Sequence, residues 1–122
     1  ARSALLDTAA AERVAADVAA RHADAVDRDA RFPAETLAAL KALGALGAGI
    51  PRALGGGGSD IVALSAMCQA LGRHCASSAM VLAMHHIMVA ALVRHGLGSE
   101  QIRDYLARVA REQRLIASVT SE

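Results

Sequence analysis

The most apolar window of the chain, residues 76–93, constrains its fold more than any other feature. It is apolar nearly all round a helical wheel, which suits a helix only where neighbouring elements or lipid cover it. Ser77, Ser78, His85 and His86 interrupt it, and such polar groups argue for the central helix of a bundle over a membrane span. Only 2% of the residues are aromatic, against 54% hydrophobic. A core made from this chain has to use Ala, Leu, Val, Ile and Met, a small-grained mixture that favours close helix packing. The 122 residues provide for one such core.

Other helices arrange themselves around that window. Leu6, Ala10, Val14 and Val18 recur every four residues, which predicts a first helix with one apolar stripe. Asp17–Arg21, Asp24–Arg28 and Asp27–Arg31 stand acid before base at i,i+4 and support its exposed face. It is expected to end near Arg31, because Phe32 precedes Pro33 and is pushed out of helical dihedrals. Pro33 suits the first turn of a second helix carrying Leu37, Leu40 and Leu43. Gly44, Gly47 and Gly49 end it, and residues 50–58 read as a loop. Ser59 is the expected cap of a third helix, with Ile61, Leu64, Cys68, Leu71 and Cys75 as its core stripe. The fourth helix is expected over 78–94. After the break at 95–98, Ser99 caps a fifth with Ile102, Leu106 and Val109 inward.

From residue 114 the period changes. Leu115, Ala117 and Val119 alternate with Ile116, Ser118 and Thr120, a strand signal. One strand cannot satisfy its backbone alone, so further strands are expected to follow. The reading is an all-α bundle of about five helices over 1–113, with 114–122 as the start of a β-domain.

Several function classes are set aside by composition. The 13 basic and 12 acidic residues are interspersed, for a net charge of +1, and no run of like charge suits nucleic acid or an anionic membrane. Cys68 and Cys75, seven apart on one helical stretch, stand roughly 10 Å from each other along the axis, beyond disulfide reach. They read as small hydrophobes in a reducing compartment, and no signal pattern opens the sequence, so a cytoplasmic location is expected.

Three motifs invite chemistry. Gly55-Gly56-Gly57-Gly58 lacks the Lys-Ser/Thr and the preceding strand of a phosphate loop, and reads as a turn. His85 and His86 are adjacent, about 100° apart on a helix, without the i+4 partners that helical metal sites use; no metal is expected. His74 and Cys75 diverge in the same way and have no orienting third group. Met80, Met84 and Met88 share one helix face, either as core filler or as a deformable wall for a long apolar ligand.

The order of the unusual elements is more informative than each alone. Phe32-Pro33-Ala34-Glu35, Leu43-Gly44-Ala45-Leu46-Gly47, Ile50-Pro51, the four glycines, Ser77-Ser78-Ala79, His85, Gly96, Glu100-Gln101 to Tyr105-Leu106 and Ala117-Ser118-Val119-Thr120-Ser121-Glu122 follow one another along nearly the whole chain. This succession resembles the N-terminal half of the acyl-CoA dehydrogenase family. The resemblance implies a helical domain followed by a β-domain and a C-terminal four-helix domain, with FAD between the last two. It implies that Ala117, Val119 and Thr120 approach the flavin, and that Met80, Ala83, Met84 and Ile87 wall the acyl pocket. The implied reaction is α,β-dehydrogenation of an acyl-CoA thioester by a homotetramer that serves an electron-transfer acceptor. The family's base is a glutamate of the C-terminal domain, so no catalytic residue is assigned here, and these residues alone are expected to be inactive. Thr120-Ser121-Glu122 departs from the family's Thr-Glu-Pro. A flavin monooxygenase of the same architecture and a non-catalytic helical interaction module are the alternatives.

Overall fold

The computed structural model describes residues 8–118, which are mostly helical with no strand among them. The chain enters α1 (Thr8–Val14), passes through a π-helical turn (Ala15–Ala19) and continues as α2 (Ala20–Arg28). Val14, Ala19 and Ala20 keep right-handed helical dihedrals, so these segments form one rod. With α3 (Ala34–Ala42), α4 (Ile61–Gly72), α5 (Ala76–Gly96) and α6 (Glu100–Glu112), the described residues form five rods, the number the periodicity predicts.

The first rod buries Ala11, Ala15 and Ala19 in place of the expected Ala10, Val14 and Val18; Leu6 lies outside the described residues. Four-residue steps drift roughly 40° round a regular α-helix. The wider π turn absorbs that drift and keeps the three alanines on one side. Their methyl groups let α1 close on α4, its principal tertiary neighbour. Two of the arginines expected to pair with an acid four residues earlier, Arg28 and Arg31, pair elsewhere. Arg28 pairs with Asp29 at 3.1 Å, and Arg31 reaches across the Phe32-Pro33 corner to Glu35 at 2.8 Å. That hydrogen bond holds the Glu35 carboxyl down at about 2, and His22 Nδ1 lies 3.5 Å from the same carboxylate. The corner is thereby tied to both helices it joins.

α3 ends at Leu43, and Gly44 takes a left-handed φ of 76°, a conformation that a β-carbon resists. The cap of α4 is Asp60, one residue beyond the expected Ser59: its carboxylate accepts from the Ala63 N–H at 2.9 Å. Leu64, Met67, Ala70 and Leu71 form the buried surface of α4. Ile61 is 71% exposed and Cys68 half-buried, because α1 and α5 cover α4 on sides the expected stripe only partly matches. Cys75 is not on α4 at all. It is the extended residue before α5, and its sulfur receives the Ser78 hydroxyl at 3.2 Å.

α5 spans 21 residues and is long and apolar enough to cross a membrane by length and composition. Within this domain it packs most extensively on α4 and buries one face: Ser78, Leu82, His85, His86 and Val89. The expected all-round burial does not occur among the described residues. α6 is capped by Ser99, whose hydroxyl accepts from the Ile102 N–H at 3.4 Å. Leu106 and Val109 of α6 join Ile50 and Val89 in a second hydrophobic cluster, beside the main one on α1–α5. Gln113 ends α6 in a left-handed turn, φ 52°. Residues 114–118 then run without regular structure. The described part of the expected strand has no strand to pair with among the described residues, and Val119 and Thr120 lie outside them.

Candidate functional site

The glycine run is consumed by the fold. The amides of Gly55, Gly56, Gly57 and Gly58 donate to the carbonyls of Arg52, Pro51, Gly47 and Ile50, and Ser59 donates to Ala48. A phosphate cradle needs such N–H groups unengaged, and here each already has an acceptor. A side chain at Gly56 would collide with the Ile50 carbonyl, which is why this position admits only glycine.

The two histidines, 100° apart on paper, both turn toward the segment between α3 and α4. His85 Nε2 lies 2.7 Å from the Leu46 carbonyl, and His86 Nε2 lies 3.1 Å from that of Ala45. Consecutive carbonyls thus serve consecutive histidines, with the rings edge to face at 5.0 Å. Since a carbonyl only accepts, both Nε2 atoms carry the hydrogen. Nitrogens committed in this way are not metal ligands. His85 Nδ1 accepts from the Ile116 N–H at 3.0 Å, whereas His86 Nδ1 is buried with no partner among the described residues. Burial lowers both imidazole pKa values; for His86, with His85 beside it, the value is about 4. Both rings are neutral structural groups near neutral pH.

The opposite side of α5 is open. Met80 is 61% exposed, Met84 39% and Ile87 58%, so Met80 and Met84 are not core filler among the described residues, whereas Met88 is half-buried. Met80 and Met84 line a cleft of about 280 Å³ together with Phe32, Val81 and residues 115–118. Two of the four acyl-wall candidates therefore face the segment that carries Ala117. The other two, Ala83 and Ile87, border a separate groove of about 320 Å³ between α4 and α5, with Ile61, Leu64 and Cys68. The proposed wall thus divides between two concavities. Phe32 and Val81 were not singled out from the sequence as cleft residues, although a lone exposed phenylalanine beside a proline is an available signal. Ile116 was read only as part of a strand. Its link to His85 depends on a contact across 31 residues and has no local signature.

Chemically the cleft is inert. Its lining of Phe32, Met80, Val81, Met84, Leu115, Ile116, Ala117 and Ser118 has no titratable side chain. It offers flexible thioethers, aliphatic surface and one hydroxyl, suited to an apolar chain of variable shape.

The family model for the N-terminal domain of acyl-CoA dehydrogenase matches residues 4–113. Among curated relatives, an acryloyl-CoA reductase (NADH) of Anaerotignum propionicum is 32% identical over 100 residues, covering 82% of this chain and 25% of that protein. A probable acyl-CoA dehydrogenase of Mycobacterium leprae is 35% identical over 104 residues, 84% of this chain and 26% of its own length. A short-chain-specific acyl-CoA dehydrogenase of Clostridium acetobutylicum is 25% identical over 90 residues, 74% and 24% respectively. The chain spans about a quarter of the length of these relatives. No solved structure matches at comparable significance.

Proposed function

Because the chain belongs to the acyl-CoA dehydrogenase family, whose N-terminal domain it matches over residues 4–113, we propose that it provides one wall of the acyl pocket in a flavin-dependent oxidoreductase acting on acyl-CoA thioesters. The observation that carries this reading is the cleft between α5 and residues 115–118, where Met80 and Met84 face the segment bearing Ala117. Thioether side chains adapt to an alkyl chain without a fixed shape of their own. Lined by apolar side chains and one hydroxyl among the described residues, the cleft would hold and orient the acyl group and keep water from it.

Ala117 fits the edge of a flavin site. Its side chain is a single methyl, it is exposed, and its amide has no partner among the described residues. Val119 and Thr120 remain proposed flavin contacts that lie outside the described residues. Bound FAD would accept the hydride from the acyl β-carbon. The same reading makes residues 114–122 the start of a β-domain and makes the assembled enzyme a homotetramer that serves an electron-transfer acceptor. The free cysteines, Cys68 and Cys75, are compatible with the cytoplasm as its compartment.

The test is Met84→Glu in the full-length protein, titrated with butyryl-CoA, octanoyl-CoA and palmitoyl-CoA. A carboxylate in an apolar pocket should weaken binding of the accepted thioester at least tenfold, about 1.4 kcal/mol or more. Unchanged affinity would remove this cleft from the acyl site. Residues 1–122 expressed alone should purify colourless, and flavin absorbance travelling with them would contradict the assignment of the flavin site mainly to other domains.

A further inference from the structure

The segment that walls the cleft is anchored in two ways. Leu115 packs against the main hydrophobic cluster and Ile116 against the smaller one around α6, so the segment straddles the seam between them. Apolar packing is non-directional and sets depth more than heading. Direction requires a hydrogen bond. The bond present is Ile116 N–H to His85 Nδ1, 3.0 Å.

His85 is suited to that task. Its Nε2–H is held by the Leu46 carbonyl at 2.7 Å, which fixes the ring and leaves Nδ1 bare to accept. Leu46 is itself held from its other end: its N–H donates to Gln113 Oε1 at 3.0 Å, and Gln113 Nε2 donates to the Ala110 carbonyl at 2.8 Å. The end of α6, the turn before the glycine loop and the segment beyond α6 are linked in that order by hydrogen bonds through Leu46 and His85. His86, 5.0 Å away, is the titratable group in contact with it; residues 44–50 and 115–118 contain none.

We propose that His85 is a positioning residue that aims residues 115–118 at the cleft and so sets the spacing between Ala117 and the Met80–Met84 wall. The proposal rests on the acyl-pocket reading for its functional consequence but not for the clamp itself. The imidazole works only while neutral, since a proton on Nδ1 would oppose the Ile116 N–H, and its burial favours the neutral form.

Two conservative variants of the full-length protein test it. The side-chain amide of Asn stands near the place of a histidine Nδ1, and that of Gln near the place of Nε2. His85→Asn should therefore retain an acceptor for Ile116, and His85→Gln only a donor for Leu46. Two quantities are measured: hydrogen–deuterium exchange of the peptide spanning 114–118, and affinity for butyryl-CoA, octanoyl-CoA and palmitoyl-CoA. His85→Gln should speed exchange and weaken binding about three- to tenfold, the equivalent of one neutral hydrogen bond. His85→Asn should stay within about twofold of the parent in both, since it keeps that bond. A purely space-filling role predicts the reverse order, because Asn leaves the larger void. Wild-type exchange and affinity in His85→Gln, or equal losses in both variants, would overturn the proposal. If the parent binds none of the three thioesters, the acyl-pocket reading fails, and the exchange comparison still decides whether His85 aims the segment.

Discussion

α5 presents two faces on opposite sides of one helix, and side-chain polarity does not sort them. One face buries Ser78, Leu82, His85, His86 and Val89; the other leaves Met80, Met84 and Ile87 open. A hydropathy argument would bury the methionines and expose the histidines. The difference lies in the partners available. The turn between α3 and α4 presents the carbonyls of Ala45 and Leu46, which need donors once buried, and the histidines supply them. The methionine face has no described element laid fully across it, only the edge formed by residues 115–118 and Phe32. One face builds the domain, and the other remains available to a ligand.

Substitution should separate the faces most sharply. Leu82→Ala, at a fully buried position, should cost about 2–5 kcal/mol by urea denaturation. A loss below about 1 kcal/mol would mean that the buried face relaxes as freely as a surface.

Acid should strike the buried face next. The His86 imidazole titrates at about 4 in the fold, against an ordinary value of 6.5. Between those values the unfolded chain binds the extra proton, so stability is fully present above pH 6.5 and is lost as the pH falls toward 4. The loss is on the order of 3 kcal/mol, and His85 shifts in the same direction. Denaturation midpoints recorded from pH 7 to 4.5 should fall steadily, and His86→Gln should flatten the profile. A flat parent profile would contradict a buried neutral His86.

The smallest stability effect belongs to the open face. Met84→Ala should change stability by no more than about 0.5 kcal/mol while acyl-CoA affinity falls. A large stability loss with unchanged affinity would return Met84 to the core.

Much of the helical frame was legible because its signals are local. Gly44 after α3, Ser99 before α6 and Leu106 with Val109 inside it occupy the predicted roles. The α4 cap was displaced by one, since Ser59 and Asp60 are both competent caps and the backbone selected the aspartate. The α1 stripe lies one residue beyond the expected one, at Ala11, Ala15 and Ala19, with the four-residue spacing kept across the π turn. Of the site, the methionine face was legible as a spacing of four, but its openness was not, and the acyl-wall candidates fell into two concavities. The histidine pair was legible only as polar residues in an apolar helix.

The sequence by itself determined the number of helices, their ends to within a few residues and the family to which the chain belongs, because capping, glycine dihedrals and apolar spacing act within a few residues. Tertiary structure decided which face of each helix is covered. His85 meets Leu46 across 39 positions and Ile116 across 31, and a hydrogen bond over such separations depends on how the rods pack. It is that packing, rather than the hydropathy of α5, which turned His85 and His86 inward and left Met80 and Met84 facing the cleft.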